Sequence, residues 1–77
     1  MQAVQASLAG TVFRVLVKVG DVVKPGQEVV TLESMKMEIP VESEVAGTVV
    51  EVAASEGVFV NEGDPLVIVD TESGRPA

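Results

Sequence analysis

The chain contains no cysteine and no histidine among its 77 residues. The first absence removes disulfides and thiolate metal ligands, and it fits a reducing compartment. The second removes both the commonest general base and the commonest metal ligand. Aromatic residues are nearly missing, with only Phe13 and Phe59. Basic residues are few as well: Arg14, Lys18, Lys24, Lys36 and Arg75 stand against twelve acids, for a net charge of −7. Binding to a duplex needs clustered Lys or Arg, and these five are scattered, so no nucleic-acid partner is expected. No apolar run approaches the ~20 residues that cross a bilayer. Met1-Gln2-Ala3-Val4 has neither the basic n-region nor the apolar h-region of a secretion signal. The expectation is a soluble, cytoplasmic monomer with no membrane partner.

What the chain does have is valine, whose branched β-carbon favours extended backbone. This points to an all-β fold. The length allows one small domain, residues 1–77, near the lower limit at which an unstapled core holds. Its core is expected over about residues 4–70, with residues 71–77 a polar tail. An internal repeat organises the domain. Leu8-Ala9-Gly10-Thr11-Val12-Phe13-Arg14-Val15 lies over Val45-Ala46-Gly47-Thr48-Val49-Val50-Glu51-Val52 without a gap, and the same shift matches Gly20 to Gly57 and Gly26 to Gly63. Glycine marks positions that need positive φ or a close backbone approach, so glycines held in one register imply shared turns. Each half reads as strand, turn, short extended piece, turn, strand. Alternation puts Phe13, Val15 and Val17 on one face with Arg14 and Lys18 on the other; Val50, Val52 and Ala54 repeat that face, with Glu51 outward. Lys24-Pro25-Gly26-Gln27 and Asn61-Glu62-Gly63-Asp64 are turns, with Gly26 and Gly63 at equivalent left-handed positions. The second of these lacks the alternating acids and closing glutamate of a calcium loop. Two intertwined sheets related by a quasi-twofold axis follow from such a repeat.

Between the halves lies Glu33-Ser34-Met35-Lys36-Met37-Glu38. Thr31-Leu32-Glu33 reads as a strand and Glu38-Ile39-Pro40-Val41 as its returning partner, so Ser34 to Met37 forms the reversal. Pro40 cannot donate to a ladder, which assigns its nitrogen to an unpaired side or a bulge. Met35 and Met37 are apolar where a turn is normally polar, around a reactive amine. Burying them would bury the lysine's charge, so the tip is expected to be exposed.

This run resembles the biotin-attachment motif, usually alanine, methionine, lysine and methionine, with Ser34 here in place of the alanine. With the repeat, it makes the chain similar to the biotinyl/lipoyl attachment domains from about Val4 to Asp70. The resemblance implies a flattened barrel-sandwich of two four-stranded antiparallel sheets with quasi-twofold symmetry, Lys36 at one end and the termini at the other. It further implies that Lys36 is biotinylated on its ε-amine by a biotin protein ligase that reads Glu33, Ser34, Met35, Met37 and Glu38. The domain would then be a non-catalytic carrier in a biotin-dependent carboxylase, taking the carboxyl group on biotin from a biotin carboxylase to a carboxyltransferase. Glu33 and Glu38 are expected to hold the amine charged, which leaves its deprotonation to the ligase. Val17-Lys18-Val19-Gly20-Asp21 runs straight through where some carriers insert a "thumb". The thumbless form resembles the carriers of multifunctional carboxylases and small free-standing attachment proteins. Met1 opens directly into the domain and no Pro/Ala-rich linker follows, which leads us to expect the free-standing kind.

Three rivals rank below this reading. A lipoyl domain of a 2-oxo acid dehydrogenase-type complex shares the fold, and lipoate on Lys36, alone or as a second modification, is the alternative cofactor. Its tip usually has aspartate before the lysine, where Met35 stands here. An enzyme could draw an acid/base pair from Glu28, Glu33, Glu38, Glu42 and Glu44, but a small valine-packed barrel leaves little room for a cleft. A hairpin adaptor of membrane fusion would carry long coiled-coil insertions at the tip. No catalytic residue and no metal ligand is assigned.

Overall fold

Eight strands alternate with tight turns in the computed structural model, which describes residues 1–71. The expected polar tail falls outside the described residues except for Thr71. The strands are β1 (Gln2–Gln5), β2 (Gly10–Val15), β3 (Val22–Val23), β4 (Glu28–Ser34), β5 (Met37–Glu42), β6 (Gly47–Val52), β7 (Phe59–Val60) and β8 (Pro65–Asp70). They form two four-stranded antiparallel sheets, ordered β1-β8-β6-β3 and β5-β4-β2-β7. The shift that carries Gly10 to Gly47 carries β2 onto β6, β3 onto β7 and β4 onto β8. It also carries β1 onto Ile39 to Glu42 of β5. One sheet order therefore maps onto the other strand for strand, which is the quasi-twofold symmetry of the repeat. The repeat extends further than the sequence reading, which has no counterpart for β1.

The two halves also share backbone detail. The amide of Gly20 donates to the carbonyl of Val49 at 2.8 Å, and its repeat mate Gly57 donates to Val12 at 2.8 Å. Gly26 donates to Ser43 and Gly63 to Ala6, at 2.8 and 2.9 Å. Each of these bonds ties one half to the other, so neither half completes its hydrogen bonding alone. Gly26 and Gly63 have φ of +86° and +89°, as expected of turn positions open to glycine. Side chains finish the turns: Asn61 N–H donates to Asp64 Oδ2 at 2.8 Å and Lys24 N–H to Gln27 Oε1 at 3.1 Å. Asp64 thus closes its own turn.

Between the sheets lies a core of small aliphatic side chains. Val12, Val23, Val29, Val30, Leu32, Val49, Leu66, Val67 and Val69 are essentially inaccessible to solvent. Burying each is worth about 1.5–3 kcal/mol. Ser43, at the position equivalent to Ala6, is the buried polar residue among those described; its hydroxyl donates to the carbonyl of Val45 at 2.6 Å and accepts from that residue's N–H at 3.2 Å.

The face expected for Phe13 is corrected. Val12 is buried and Phe13 is 38% exposed, as is its mate Val50. Val12 pairs with Leu32 and Arg14 with Thr31, so a β-bulge at Phe13 inserts one residue and resets the alternation. The same bulge recurs between Val49 and Glu51. Val15 and Val17 regain the inward face beyond it. The matched glycines Gly10 and Gly47 open β2 and β6 without positive φ, so at this pair the repeat marks a close backbone approach and not a turn.

Candidate functional site

The hairpin β4–β5 projects the lysine. Its ladder pairs Glu28 with Glu42, Val30 with Val41, Thr31 with Pro40, Leu32 with Ile39, Glu33 with Glu38 and Ser34 with Met37. Leu32 and Val41 point into the core and root the hairpin there. β5 is an edge strand, which gives the Pro40 nitrogen the unpaired side it needs. The strands reach further than expected, so the reversal is two residues, Met35 and Lys36, not the four from Ser34 to Met37.

Both turn residues are left-handed, with φ +50° at Met35 and +65° at Lys36. Positive φ at both central positions marks the tightest hairpin connection, whose twist matches that of the flanking strands. Asn-Gly or Asp-Gly normally fills it. A residue with a Cβ costs about 1–2 kcal/mol more in this conformation, and the paired ladder beneath supplies the constraint. In return, two long side chains stand clear of the body. Met35 is 92% exposed and Met37 64% exposed, with exposed Lys36 between them.

Glu33 and Glu38 sit directly opposite each other beneath the tip, both exposed. Like charges so placed oppose pairing by a few tenths to about 1 kcal/mol. Neither forms an ion pair with Lys36 among the described residues, so the expected charge-holding role has no contact behind it. Ser34, half-buried, closes the hairpin against Met37. The six residues singled out by sequence are therefore brought together on one two-residue turn and the pairs below it. Glu28 and Glu42 form a second opposed pair at the hairpin's base, and Glu44 lies beyond it.

Two clefts flank that base rather than the tip. One, of about 290 Å³, runs between β1 and the segment after β5, along Gln2, Gln5, Glu42 and Glu44; the other adjoins it at Pro40 and Ser43. Sequence reasoning passes over Gly10, whose backbone lies against the carbonyl of Glu33. The available signal is a glycine inside a strand pattern, which marks a close backbone approach.

A lysine side chain held out on a rigid, narrow support, with no ion pair or hydrogen bond among the described residues, fits a group attached through its amine. Comparison with known proteins shows the family to which this fold belongs. A family model for biotin/lipoyl domains, described as biotin-requiring enzyme, matches residues 2–69. The chain is 53% identical over 64 residues to a biotin/lipoyl attachment protein of Bacillus subtilis, covering 83% of this chain and 88% of that one. It is 44% identical over 64 residues to a biotin carboxyl carrier protein of Streptococcus mutans, with 83% of this chain and 49% of the relative covered. Among solved structures, a single-chain, multi-domain long-chain acyl-CoA carboxylase superposes with a TM-score of 0.79 at 38% identity, over 86% of this chain and 7% of that one. The match thus spans most of one small relative, about half of a carrier protein and a small segment of a large enzyme.

Proposed function

The chain belongs to the biotin/lipoyl attachment family, whose members carry a covalent cofactor, and on that premise we propose that Lys36 is the attachment lysine and biotin its cofactor. The observation that carries this reading is the turn itself: an exposed lysine at φ +65° between two exposed methionines, with no partner among the described residues. The neutral Lys36 amine attacks an activated acyl carbonyl; the C–N bond forms, the activating group leaves and the nitrogen gives up one proton. No described side chain bonds the amine, so the proton's acceptor comes from the ligase. Met35 and Met37 offer unbranched, polarisable surfaces suited to an apolar groove on that enzyme.

Biotin held on Lys36 would supply the chemistry of carboxyl-group transfer between two sites. The chain's own contribution is mechanical. The β4–β5 ladder holds the turn rigid, and the side chain of Lys36 provides reach. Tethering raises the local concentration of the cofactor at two active sites without tight docking. We assign those sites to a biotin carboxylase and a carboxyltransferase.

Lipoate on Lys36 is the second reading, favoured by the biotin/lipoyl relative in Bacillus subtilis. Incubating the purified protein with biotin or lipoate, ATP and the matching ligase, then mapping peptides by mass, separates the two. Biotin on Lys36 supports our reading. Lipoate alone on Lys36 supports the second, and a label on Lys18 or Lys24 contradicts both.

A further inference from the structure

We infer that Gly10 is a positioning residue for the attachment turn, because it sets how closely the lysine-bearing hairpin folds down onto the body of the domain. The inference rests on the attachment reading only for its enzymatic assay. Gly10 opens β2, is buried and pairs with Val60 of β7. Its φ is not in the left-handed region, so its backbone makes no demand for glycine. What demands glycine is space. A Cβ built there would lie 2.8 Å from the carbonyl oxygen of Glu33 and 3.5 Å from Cβ of Ser34. A Cβ and a backbone oxygen do not approach that closely, so a larger residue must push the end of β4 away.

Glu33 and Ser34 are the last two residues before Met35, and neighbouring Thr11 pairs with Glu33. Displacement at Gly10 therefore passes directly into the turn, through a strand end with no slack. The repeat supplies a control in the same molecule. Gly47, the mate of Gly10, packs more closely still on the carbonyl of Asp70, with Val69 Cγ1 at 2.7 Å from its would-be Cβ. A substitution at Gly47 strains a tighter contact of the same kind at the end of the domain away from Lys36.

Gly10→Ala, Gly47→Ala and the buried truncation Val69→Ala would be compared with the wild type in the full chain, at a temperature where melting curves show each folded. The readouts are the initial rate of ligase-catalysed labelling with biotin and the backbone amide shifts of Met35, Lys36 and Met37. We expect at least a tenfold slower rate and displaced tip shifts for Gly10→Ala alone. Equal slowing in all three variants, or unchanged tip shifts in Gly10→Ala, overturns the proposal. If neither biotin nor lipoate ligase labels the wild type, the attachment reading fails while the amide shifts still decide the role of Gly10. Should Gly10→Ala not fold, nuclear Overhauser contacts in the wild type decide: contacts between the Gly10 α-protons and the Ser34 β-protons support the packing, and their absence overturns it.

Discussion

The β4–β5 ladder and the β8–β1 ladder are the same structure built twice. Both place a bulge at the equivalent step, between Glu28 and Val30 in one and opposite Val4 and Gln5 in the other. In the first, strands adjacent in sequence are joined by Met35 and Lys36. In the second, strands from opposite ends of the domain meet with no connecting turn. The geometry of the ladder therefore does not depend on the turn that closes it. What the turn needs from the fold is rigidity, and what the fold needs from the turn is little. A turn free of folding duty can hold residues that are poor turn formers, which is what Met35 and Lys36 are at positive φ.

This comparison predicts a large functional and a small structural effect at the tip. Lys36→Arg should eliminate cofactor incorporation completely and shift stability by less than about 0.5 kcal/mol, since it is an exposed substitution away from the core. Streptavidin blotting and a thermal melt check the two parts, and a collapsed melt would show that the turn carries the fold after all. Met35→Asp with Met37→Ala should lose most biotin incorporation and gain lipoate, with the fold kept. Co-expression with each ligase separately, followed by mass spectrometry, reads the outcome; unchanged biotinylation means the methionines do not govern recognition.

The symmetry itself is sharpened by Gly26→Val and Gly63→Val. A branched residue at φ near +90° is strained by about 1–3 kcal/mol, and the two variants should lose similar stability in denaturant titrations. A large loss in one and none in the other would break the equivalence of the halves. The smallest effect concerns Glu28 and Glu42, whose counterparts in the other ladder are Pro65 and Gln5. Glu42→Lys turns an opposed like-charge pair into an attractive one. It should stabilise the domain by about 0.5 kcal/mol at low salt, with the gain shrinking as salt is added. No gain at low salt would show that these side chains avoid each other in solution.

Much of this architecture is legible in the sequence because the repeat is marked by glycines, and turn glycines report backbone conformation directly. Gly26 and Gly63 are the clearest case. The exposed Met35-Lys36 turn is legible for another reason, since apolar methionines around a lysine contradict what a turn normally contains. The hidden parts share one cause: they depend on contacts between distant segments. Nothing in Val12-Phe13-Arg14 announces a bulge, so simple alternation turns Phe13 the wrong way. β1 goes unseen because its partner β8 lies at the far end of the sequence. Gly10 is matched to Gly47 by the repeat, but nothing in the sequence says that the carbonyl of Glu33 is what lies against it. The two positive φ values at the tip are equally silent, because residues other than Asn, Asp or Gly carry no signal for that conformation.

The central claim is that this fold exists to hold one modified lysine outward, and the intact mass of the protein purified from its native source tests it most directly. The account predicts a mass raised by one biotinyl group, which peptide mapping places on Lys36. A mass equal to that of the bare chain, under growth conditions where the source organism's other biotin proteins are labelled, would contradict it.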